Sequence, residues 1–412
     1  MILQGKRILF GVTGGIAAYK AADLASKLVQ AGAQVDVILT RAATAFVPPL
    51  TFESLTHRPV HTDVLAMAHV GDAKEIAHVM LAKQADLFIV APATAQSLAK
   101  LALGLADDLL GATALSCPAP LLIAPAMESH MWEHPATQEH VRVLRERGAT
   151  FIGPATGRLA SGALGVGRMA EPPEILEMAR AVLGRRGPLA GRRVVITAGG
   201  TLEPLDPVRV LTNRSSGKMG VALAQAARDA GAAVTLVHAP LAVAVPPGLR
   251  AVPVESAAQM CEAVLAEAAQ ADVLIGAAAV ADFRPAAAAP QKIKKDAVEE
   301  LTIRLVRNPD ILAEVAAYRR EHGRPSLVVG FAAETEDLLR NAQAKMMAKH
   351  LDLIVANDVS RAESGFGADT NQVTLRWADG AQEEWPLLSK AEVAERIIAQ
   401  VAARLNARAS RA

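Results

Sequence analysis

The stretch Gly11-Val-Thr-Gly-Gly-Ile-Ala-Ala-Tyr-Lys follows an apolar strand and opens a helix. Free backbone N–H groups and the positive end of a helix meet there, which suits a nucleotide or flavin phosphate, although a plain tight turn asks for the same glycines. Thr13 can add a hydroxyl beside Gly14 and Gly15. A second strand end, Ala91-Pro-Ala-Thr-Ala-Gln-Ser-Leu-Ala-Lys, again places hydroxyls, Thr94 and Ser97, before a helix, and two such ends strengthen the anion-site reading. His78 lies seven residues before the strand that begins at Ala85, within Glu75–Lys83, which has helical spacing. A histidine there is available as an acid or base, yet is more often a packed or surface residue. Pro125-Ala-Met-Glu-Ser-His-Met-Trp follows another apolar strand, and its Met and Trp side chains are expected in the core. Glycines at 153, 157, 162, 165 and 167 make Gly153–Met169 a loop able to approach a ligand closely. Gly165-x-Gly-x-x-Ala inside it matches half of a dinucleotide fingerprint, but no strand is expected before it, so the match is discounted.

The later chemistry begins at Thr201-Leu-Glu-Pro-Leu-Asp-Pro-Val-Arg-Val-Leu-Thr-Asn-Arg-Ser-Ser-Gly-Lys-Met-Gly. Ser215-Ser-Gly-Lys-Met-Gly resembles a phosphate loop, but a Walker A motif needs glycine where Thr212 stands and Ser or Thr where Met219 stands. Asn213 and Arg209 remain candidates for gripping a carboxylate or an acyl phosphate, because amide and guanidinium groups donate to developing oxyanions. Gly276-Ala-Ala-Ala-Val-Ala-Asp puts small residues next to Asp282, where a nucleotide can pass close to backbone. Lys292-Ile-Lys-Lys reads by itself as a solvated basic face, and Lys345 and Lys349, spaced i, i+4, as a surface pair on one helix side. Several lysines with an acid suggest a triphosphate with Mg2+, since neutralising phosphoryl charge is most of what such a transfer requires.

The elements that must position these residues start twice. Leu3-Gln-Gly-Lys-Arg-Ile-Leu-Phe-Gly-Val-Thr-Gly-Gly is echoed by Leu189-Ala-Gly-Arg-Arg-Val-Val-Ile-Thr-Ala-Gly-Gly. Each start is followed by an Ala-rich helical stretch ending in Ala-Gly-Ala and a second strand, which is a βαβ unit with glycine closing the helix. From Leu3 to Ala31 is 28 positions and from Leu189 to Ala230 is 41, so the second unit carries 13 extra residues, within Thr201–Met219. In an open parallel sheet ligands lie beyond the carboxyl ends of strands, which makes that enlarged loop a place for added chemistry. Apolar runs beginning at Ala85, Ala119, Ala271, Leu327 and Leu351 imply strands buried on both faces. The expected architecture is α/β, with two Rossmann-like domains, each a mostly parallel sheet with helices on both faces. The linker Gly184-Arg-Arg-Gly-Pro-Leu-Ala-Gly divides them near residue 186, giving domains 1–186 and 187–412. Ala286–Pro290 and the Lys-rich segment after it show neither period and suggest a mobile surface loop.

Composition excludes several classes. A chain of 412 residues with 51% hydrophobic and 21% charged residues can bury a large core, which argues against a disordered or fibrous protein. Lys plus Arg at 43 against Asp plus Glu at 42 leaves +1, without the overall field of a nucleic-acid binder. Cys117 and Cys261 form no Cys-x-x-Cys pair or zinc spacing, and fit a reducing cytoplasm. The N-terminus lacks the apolar core and cleavage site of a signal peptide. Two long uncharged runs, Leu109–Met127 and Ala230–Leu249, are broken by prolines at 118, 120, 125 and at 240, 246, 247, so buried α/β core rather than a membrane span is expected.

Gly11-x-Thr-Gly-Gly-Ile-Ala-Ala-Tyr-Lys, the His78 segment, Ala91-Pro-Ala-Thr-Ala, Pro125-Ala-Met-x-x-x-Met-Trp and Gly165-x-Gly-Arg-Met resemble the flavin-containing cysteine decarboxylases. The whole chain, in order, resembles the bifunctional phosphopantothenoylcysteine decarboxylase/phosphopantothenate–cysteine ligases of coenzyme A synthesis. That resemblance implies FMN in the first half, where oxidation of the cysteine moiety gives a thioaldehyde that serves as the electron sink for loss of CO2. It implies His78 as the active-site histidine, flavin contacts at Gly11, Thr13, Gly14, Gly15, Thr40, Ala91, Pro92, Thr94 and Ser97, and substrate contact at Met127. Two positions depart from the family pattern. Glu128 replaces an asparagine: ionised, it repels a substrate carboxylate, and protonated, it can donate the missing hydrogen bond. Ser161 replaces a cysteine proton donor with a far weaker acid.

For the second half the resemblance implies a ligase that uses CTP with Mg2+. CTP contacts carry over to Gly276, Ala277, Ala278, Asp282, Lys292, Pro309, Asp310, Ile311, Leu312, Phe331, Lys345 and Lys349, with Asp282 the metal ligand and Lys292 on a mobile loop that closes. Asn213 matches the residue that engages the acyl-cytidylate, and Arg209, Ser215, Ser216 and Gly217 are substrate candidates. The implied partners are 4'-phosphopantothenate, L-cysteine and CTP, with no nucleic acid and no membrane, in a homo-oligomer whose flavin sites form between subunits. The alternative reading keeps the ligase active and makes the first half a catalytically silent or differently specific flavoprotein, because of Glu128 and Ser161.

Overall fold

The computed structural model describes residues 2–65, 67–70, 73–294, 300–334, 338–358 and 367–409. The chain divides into two compact units, Met1–Gly184 and Arg185–Ala412.

In the first unit the strand Arg7–Val12 buries alternate residues against opposite layers. Ile8, Phe10 and Val12 share a core with Leu24 and Leu28 of the helix Ala18–Gln30 and with Ile175 and Ala179 of the helix Pro172–Gly184. Leu9 joins Leu81, Leu98, Leu110 and Val141 from helices on the other face. Burial of each such side chain contributes about 1.5–3 kcal/mol, which explains why the run has no polar face. Six strands form this sheet, in the order Val60–His61, Gln34–Leu39, Arg7–Val12, Leu87–Ala93, Leu121–Pro125, Thr150–Phe151, and every pairing is parallel.

The second unit repeats the plan around Arg193–Ala198. Val194, Ile196 and Ala198 pack with the helices Lys218–Asp229 and Lys390–Ala409, whereas Val195 packs with Met260, Val315 and Met346 on the opposite face. Its eight strands run Arg250–Pro253, Ala233–His238, Arg193–Ala198, Val273–Gly276, Leu327–Glu334, Leu353–Asp358, Val373–Trp377, Gln382–Glu384. The last two are joined antiparallel, so this sheet is mostly rather than wholly parallel. Both units are Rossmann-like α/β layers.

Three local expectations are corrected. Gly153–Met169 is not an open loop, because Ala155–Arg158 and Leu164–Arg168 pair as an antiparallel hairpin. The helix of His78 begins at Ala77, and Glu75 and Ile76 belong to the strand Ala73–Ile76. Met131 is 49% exposed rather than in the core, although Met127 and Trp132 pack against it. The run Ala230–Leu249 contributes to the core: the strand Ala233–His238 enters the sheet, and Leu241, Val243, Val245 and Leu249 pack against it. The insertion at Thr201–Met219 contains the hairpin Leu202–Pro204/Val210–Thr212. Part of the Lys-rich segment, 295–299, lies outside the described residues. Among the described residues no helix is long and apolar enough to cross a membrane.

Candidate active sites

Strand order reverses between Arg7–Val12 and Leu87–Ala93, and the crevice beyond their carboxyl ends collects the glycine turn and the Ala91–Ser97 segment. The buried Thr13 hydroxyl donates to the Pro92 carbonyl at 2.8 Å and accepts from Thr94 N–H at 3.1 Å, so it ties the two strand ends together. Thr94 caps the helix Ala95–Leu103, accepting from Ser97 N–H at 3.3 Å, with the two hydroxyls 3.0 Å apart. Thr40 accepts from Ala43 N–H at 3.3 Å, and its loop presses on the glycine turn: a Cβ on Gly14 would lie 2.3 Å from that of Ala42. Gly11 is equally confined, since its Cβ would fall 2.7 Å from Leu110 Cδ1.

These residues fit a flavin phosphate in one specific sense, that backbone runs close to the helix start with no side chain in the way. His78 is the second residue of the helix Ala77–Gln84, half-buried, and its Nδ1 is buried without a hydrogen-bond partner among the described residues. A ring nitrogen left so is costly unless a ligand engages it.

Glu128 caps the short helix Ser129–Glu133, its Oε2 accepting from His130 N–H at 2.7 Å. That backbone hydrogen bond, with the nearby His130 ring, holds the carboxyl below the usual glutamate range, so the ionised form is the one favoured. The glycine hairpin lies directly on this turn. Met127 N–H donates to the Gly167 carbonyl at 3.0 Å, a Cβ on Gly167 would fall 2.1 Å from the Met127 carbonyl oxygen, and one on Gly165 would fall 2.2 Å from Ser129 Oγ. Ser161 sits in the exposed turn between the hairpin strands.

In the second unit the reversal falls between Arg193–Ala198 and Val273–Gly276, and there lies a cleft of about 960 Å3. Gly276, Ala277, Ala278, Asp282, Pro309–Leu312, Phe331, Lys345 and Lys349 line it together with Asn213, Ser215, Ser216 and Gly217. Thr197 Oγ1 accepts from Ala278 N–H at 3.1 Å and Thr201 Oγ1 from Ala281 N–H at 2.9 Å, while Asn213 Nδ2 donates to the Ala279 and Val280 carbonyls, both at 3.2 Å. These bonds fix the small-residue turn. Lys345 Nζ donates to the Phe331 carbonyl at 2.7 Å, and Lys349 Nζ lies 2.8 Å from Asp310, which also caps the helix Ile311–His322 through Ala313 N–H. Burial raises the Asp310 pKa, but the Lys349 bond and charge, the cap and Lys345 outweigh it and hold the carboxyl below its ordinary range. Among the described residues no group of three or more His, Cys, Asp or Glu side chains could hold a metal, so Asp282 offers at most a partial shell.

Two expected site residues do not line the cleft. The Arg209 guanidinium is taken by Asp206 at 2.7 Å and by the Ile293 carbonyl at 3.0 Å, and Lys292 lies beside that bond.

The sequence model of the Flavoprotein family matches residues 2–184, and that of the DNA/pantothenate metabolism flavoprotein C-terminal domain matches residues 189–405. The chain is 47% identical to the coenzyme A biosynthesis bifunctional protein CoaBC of Bacillus subtilis (strain 168), over 98% of both chains. It is also 47% identical to CoaBC of Escherichia coli (strain K12), over 92% of this chain and 93% of that one. The chain belongs to the CoaBC family. A crystal structure of the C-terminal domain of CoaBC is 40% identical and covers 53% of this chain and 98% of its own, with a TM-score of 0.45.

In this CoaBC chain the cleft also holds Lys218, Asn308, Asn357, Asn371 and Lys390, which sequence reasoning did not single out as site residues. Asn357 lies near the carboxyl end of an apolar strand, Leu353–Asp358, a signal of the same kind as the one that marked Gly276. Asn308 donates to the Ala281 carbonyl at 2.8 Å and accepts from Arg284 at 3.0 Å, which places it as a brace for the Asp282 turn.

Proposed function

We propose that this CoaBC chain joins cysteine to 4'-phosphopantothenate at the expense of CTP in its second unit, and removes the carboxyl group of that product with FMN in its first. The observation that carries the reading is the gathering of Asn213, Asp282, Asp310, Lys345 and Lys349 around one cleft at strand carboxyl ends.

A carboxylate oxygen of 4'-phosphopantothenate attacks the α-phosphorus of CTP, the α–β bridging P–O bond breaks, and pyrophosphate leaves. Lys345 and Lys349 neutralise the triphosphate, while Asp282 would help hold Mg2+, which when bound would supply further positive charge for the same displacement. The cysteine amine then attacks the acyl carbon, its proton is lost, and CMP departs with the electrons of the acyl C–O bond. Asn213 holds the turn along which the acyl group lies.

When bound, FMN supplies the redox capacity that makes loss of CO2 feasible. The chain's own part is positioning. The Gly11–Gly15 turn and the Thr94-capped helix would hold the phosphate, and the His78 Nδ1, without a partner among the described residues, holds or moves a proton at the reacting cysteine moiety. Glu128, ionised, orients its own turn and is not the donor to a substrate carboxylate. A homo-oligomer with flavin sites between copies belongs to this reading, supported by the exposure of Ile16 and Tyr19 close to the glycine turn, 61% and 63%, and of Phe46 and Leu50.

The test supplies 4'-phosphopantothenate, cysteine, CTP and Mg2+ and follows pyrophosphate and CO2. Both should appear, and His78→Asn should stop CO2 while leaving pyrophosphate. If neither product forms, the reading fails; full CO2 release by His78→Asn removes that residue's role.

A further inference from the structure

One wall of the second cleft carries a two-stranded ribbon, Phe283–Pro285 paired antiparallel with Leu305–Arg307. Arg307 stands directly opposite Phe283, so the two side chains share a face of the ribbon, and both residues line the cleft. Asp282 immediately precedes one strand and Asp310 follows the other by three positions, and among the described residues these are the two carboxylates of the cleft lining. A guanidinium thus joins both acids on one wall.

The backbone that carries this guanidinium is held from two directions. Arg284 Nη1 donates to the Arg307 carbonyl at 2.8 Å and to Asn308 Oδ1 at 3.0 Å. Asn308 in turn donates from its N–H to the Asp282 carbonyl at 2.8 Å and from Nδ2 to the Ala281 carbonyl at 2.8 Å. Arg284 is spent on this bracing, whereas Arg307 is left pointing its donors at whatever enters the cleft. A cation fixed in advance stabilises charge that develops beside it without having to reorganise first.

Charge balance gives a second, independent reason. The Arg307 side chain makes no ion pair or hydrogen bond among the described residues. Its neighbours do. Lys349 is paired with Asp310 at 2.8 Å, and Lys218 and Lys390 are bonded to the 367–369 segment, Lys218 to the Gly367 carbonyl and Asp369, Lys390 to the Ala368 carbonyl. Lys345 and Lys349 against Asp282 and Asp310 cancel in formal charge, while a triphosphate carries more negative charge than one Mg2+ offsets. Arg307 supplies the positive charge that this balance lacks. Arg214, the other arginine of the cleft, stands on the Asn213 turn, where the acyl group lies in the ligase reading.

We infer that Arg307 is a further catalytic residue of the ligation, one whose guanidinium grips the β and γ phosphoryl oxygens of CTP and takes the charge that gathers on the leaving pyrophosphate. This rests on the ligase reading above and deepens it. As the substrate carboxylate oxygen bonds to the α-phosphorus, the α–β bridging P–O bond breaks, and its electron pair stays on the bridging oxygen of pyrophosphate. Arg307 stays protonated throughout, so no proton or redox partner is needed. Arginine suits the task because its planar fork meets two phosphoryl oxygens at once, and its charge persists at any physiological pH.

The test follows pyrophosphate release by the full chain from CTP, 4'-phosphopantothenate and cysteine in excess Mg2+, with inorganic pyrophosphate and CMP as competing products. Arg307→Gln should lower kcat about 100-fold, the order expected when one donor to a developing anion is lost. Its inhibition constant for pyrophosphate should rise about 10-fold, whereas that for CMP, which lacks the β and γ groups, should stay at the wild-type value. Arg307→Lys keeps the charge but not the fork, and should regain part of both losses. Urea midpoints of both variants should match the wild type because the residue is exposed, and CO2 release from supplied 4'-phosphopantothenoylcysteine should match because the first unit does not contain it. A folded Arg307→Gln that is inhibited by pyrophosphate as strongly as the wild type, or that loses pyrophosphate and CMP inhibition alike, overturns the role and leaves the ligase reading intact. A wild type that releases no pyrophosphate overturns the ligase reading and this role with it.

Discussion

The Arg209 guanidinium donates to the Asp206 carboxylate at 2.7 Å and, from the same nitrogen, to the Ile293 carbonyl at 3.0 Å. Asp206 in turn accepts from Ile293 N–H at 3.1 Å and from the N–H groups of Val208 and Arg209, both at 2.8 Å. The residue after Lys292 is therefore bolted from both its N–H and its C=O to the hairpin inserted in the second unit. Arg209, whose type suggested a carboxylate grip, is instead held in this brace between the inserted hairpin and the segment of Lys292. Arg209→Gln should lower kcat/KM for pyrophosphate release about 10-fold, the order expected for one charged hydrogen bond. CO2 release from supplied 4'-phosphopantothenoylcysteine should be unchanged, which separates this effect from general unfolding.

The same carboxylate sets an acid limit on stability. Burial raises the Asp206 pKa, but the three N–H donors and Arg209 outweigh it and bring it down from 3.8 to about 2. A depressed carboxylate stabilises the fold fully above its ordinary pKa, and that contribution is lost as pH falls from about 3.8 toward 2. Urea midpoints measured from about pH 5 to about pH 2.5 should fall more steeply for the wild type than for Asp206→Asn, which has no proton to bind there. Parallel slopes would show that Asp206 contributes nothing to the acid limb.

Lys349 and Asp310, 2.8 Å apart, predict two separable effects. Lys349→Gln should raise KM for CTP about 10-fold through the loss of one phosphate contact. Asp310→Ala removes the cap of the helix Ile311–His322 as well, and should cost about 1 kcal/mol of stability, whereas Asp310→Asn retains the cap. Denaturant unfolding of the two Asp310 variants beside CTP kinetics of all three distinguishes the roles.

The sheets were legible because their strands are buried on both faces, so that Ile8, Leu9 and Phe10, and likewise Val194, Val195 and Ile196, leave an unbroken apolar run. The strand-end residues followed from the rule that places ligands at a reversal of strand order. The hairpin Ala155–Arg158/Leu164–Arg168 was hidden because Gly157, Gly165 and Gly167 carry no alternating side chains; what they provide is close packing on Arg168, Ser129 and Met127. Arg209 misled for another reason, since its partners include a carbonyl 84 positions away. Lys218 and Lys390 stand 172 positions apart and meet only because both helices cover one face of the sheet. No local spacing reports that kind of meeting.

Gly14→Ala tests the glycine turn. The added Cβ would lie 2.3 Å from Ala42 Cβ and 2.7 Å from its carbonyl carbon, so backbone rather than a flexible side chain has to move. Overpacking of this kind costs about 1–3 kcal/mol. Flavin absorbance per mole of purified protein should drop while pyrophosphate release is retained, because the second unit does not contain the turn. Full flavin content would show that the turn is not part of the cofactor cradle.

Glu128→Asn separates the two things that glutamate does. Its Oε2 caps the helix Ser129–Glu133, and asparagine is an equally good cap, so the turn against the hairpin should survive. The charge disappears. The carboxyl is held ionised by the His130 N–H, so the wild type presents a negative group where a substrate carboxylate is expected to approach, and like charges repel. KM for 4'-phosphopantothenoylcysteine should therefore fall several-fold in Glu128→Asn, and more at low ionic strength than at high, where salt already screens the wild-type charge. Glu128→Ala, lacking both charge and cap, should relieve the repulsion yet lose stability of the turn, and its KM should lie between the other two. Initial rates of CO2 release against substrate concentration, at two salt concentrations, decide the matter. A higher KM for the asparagine variant would mean that the carboxylate assists the reaction, with the His130 ring as its nearest titratable partner.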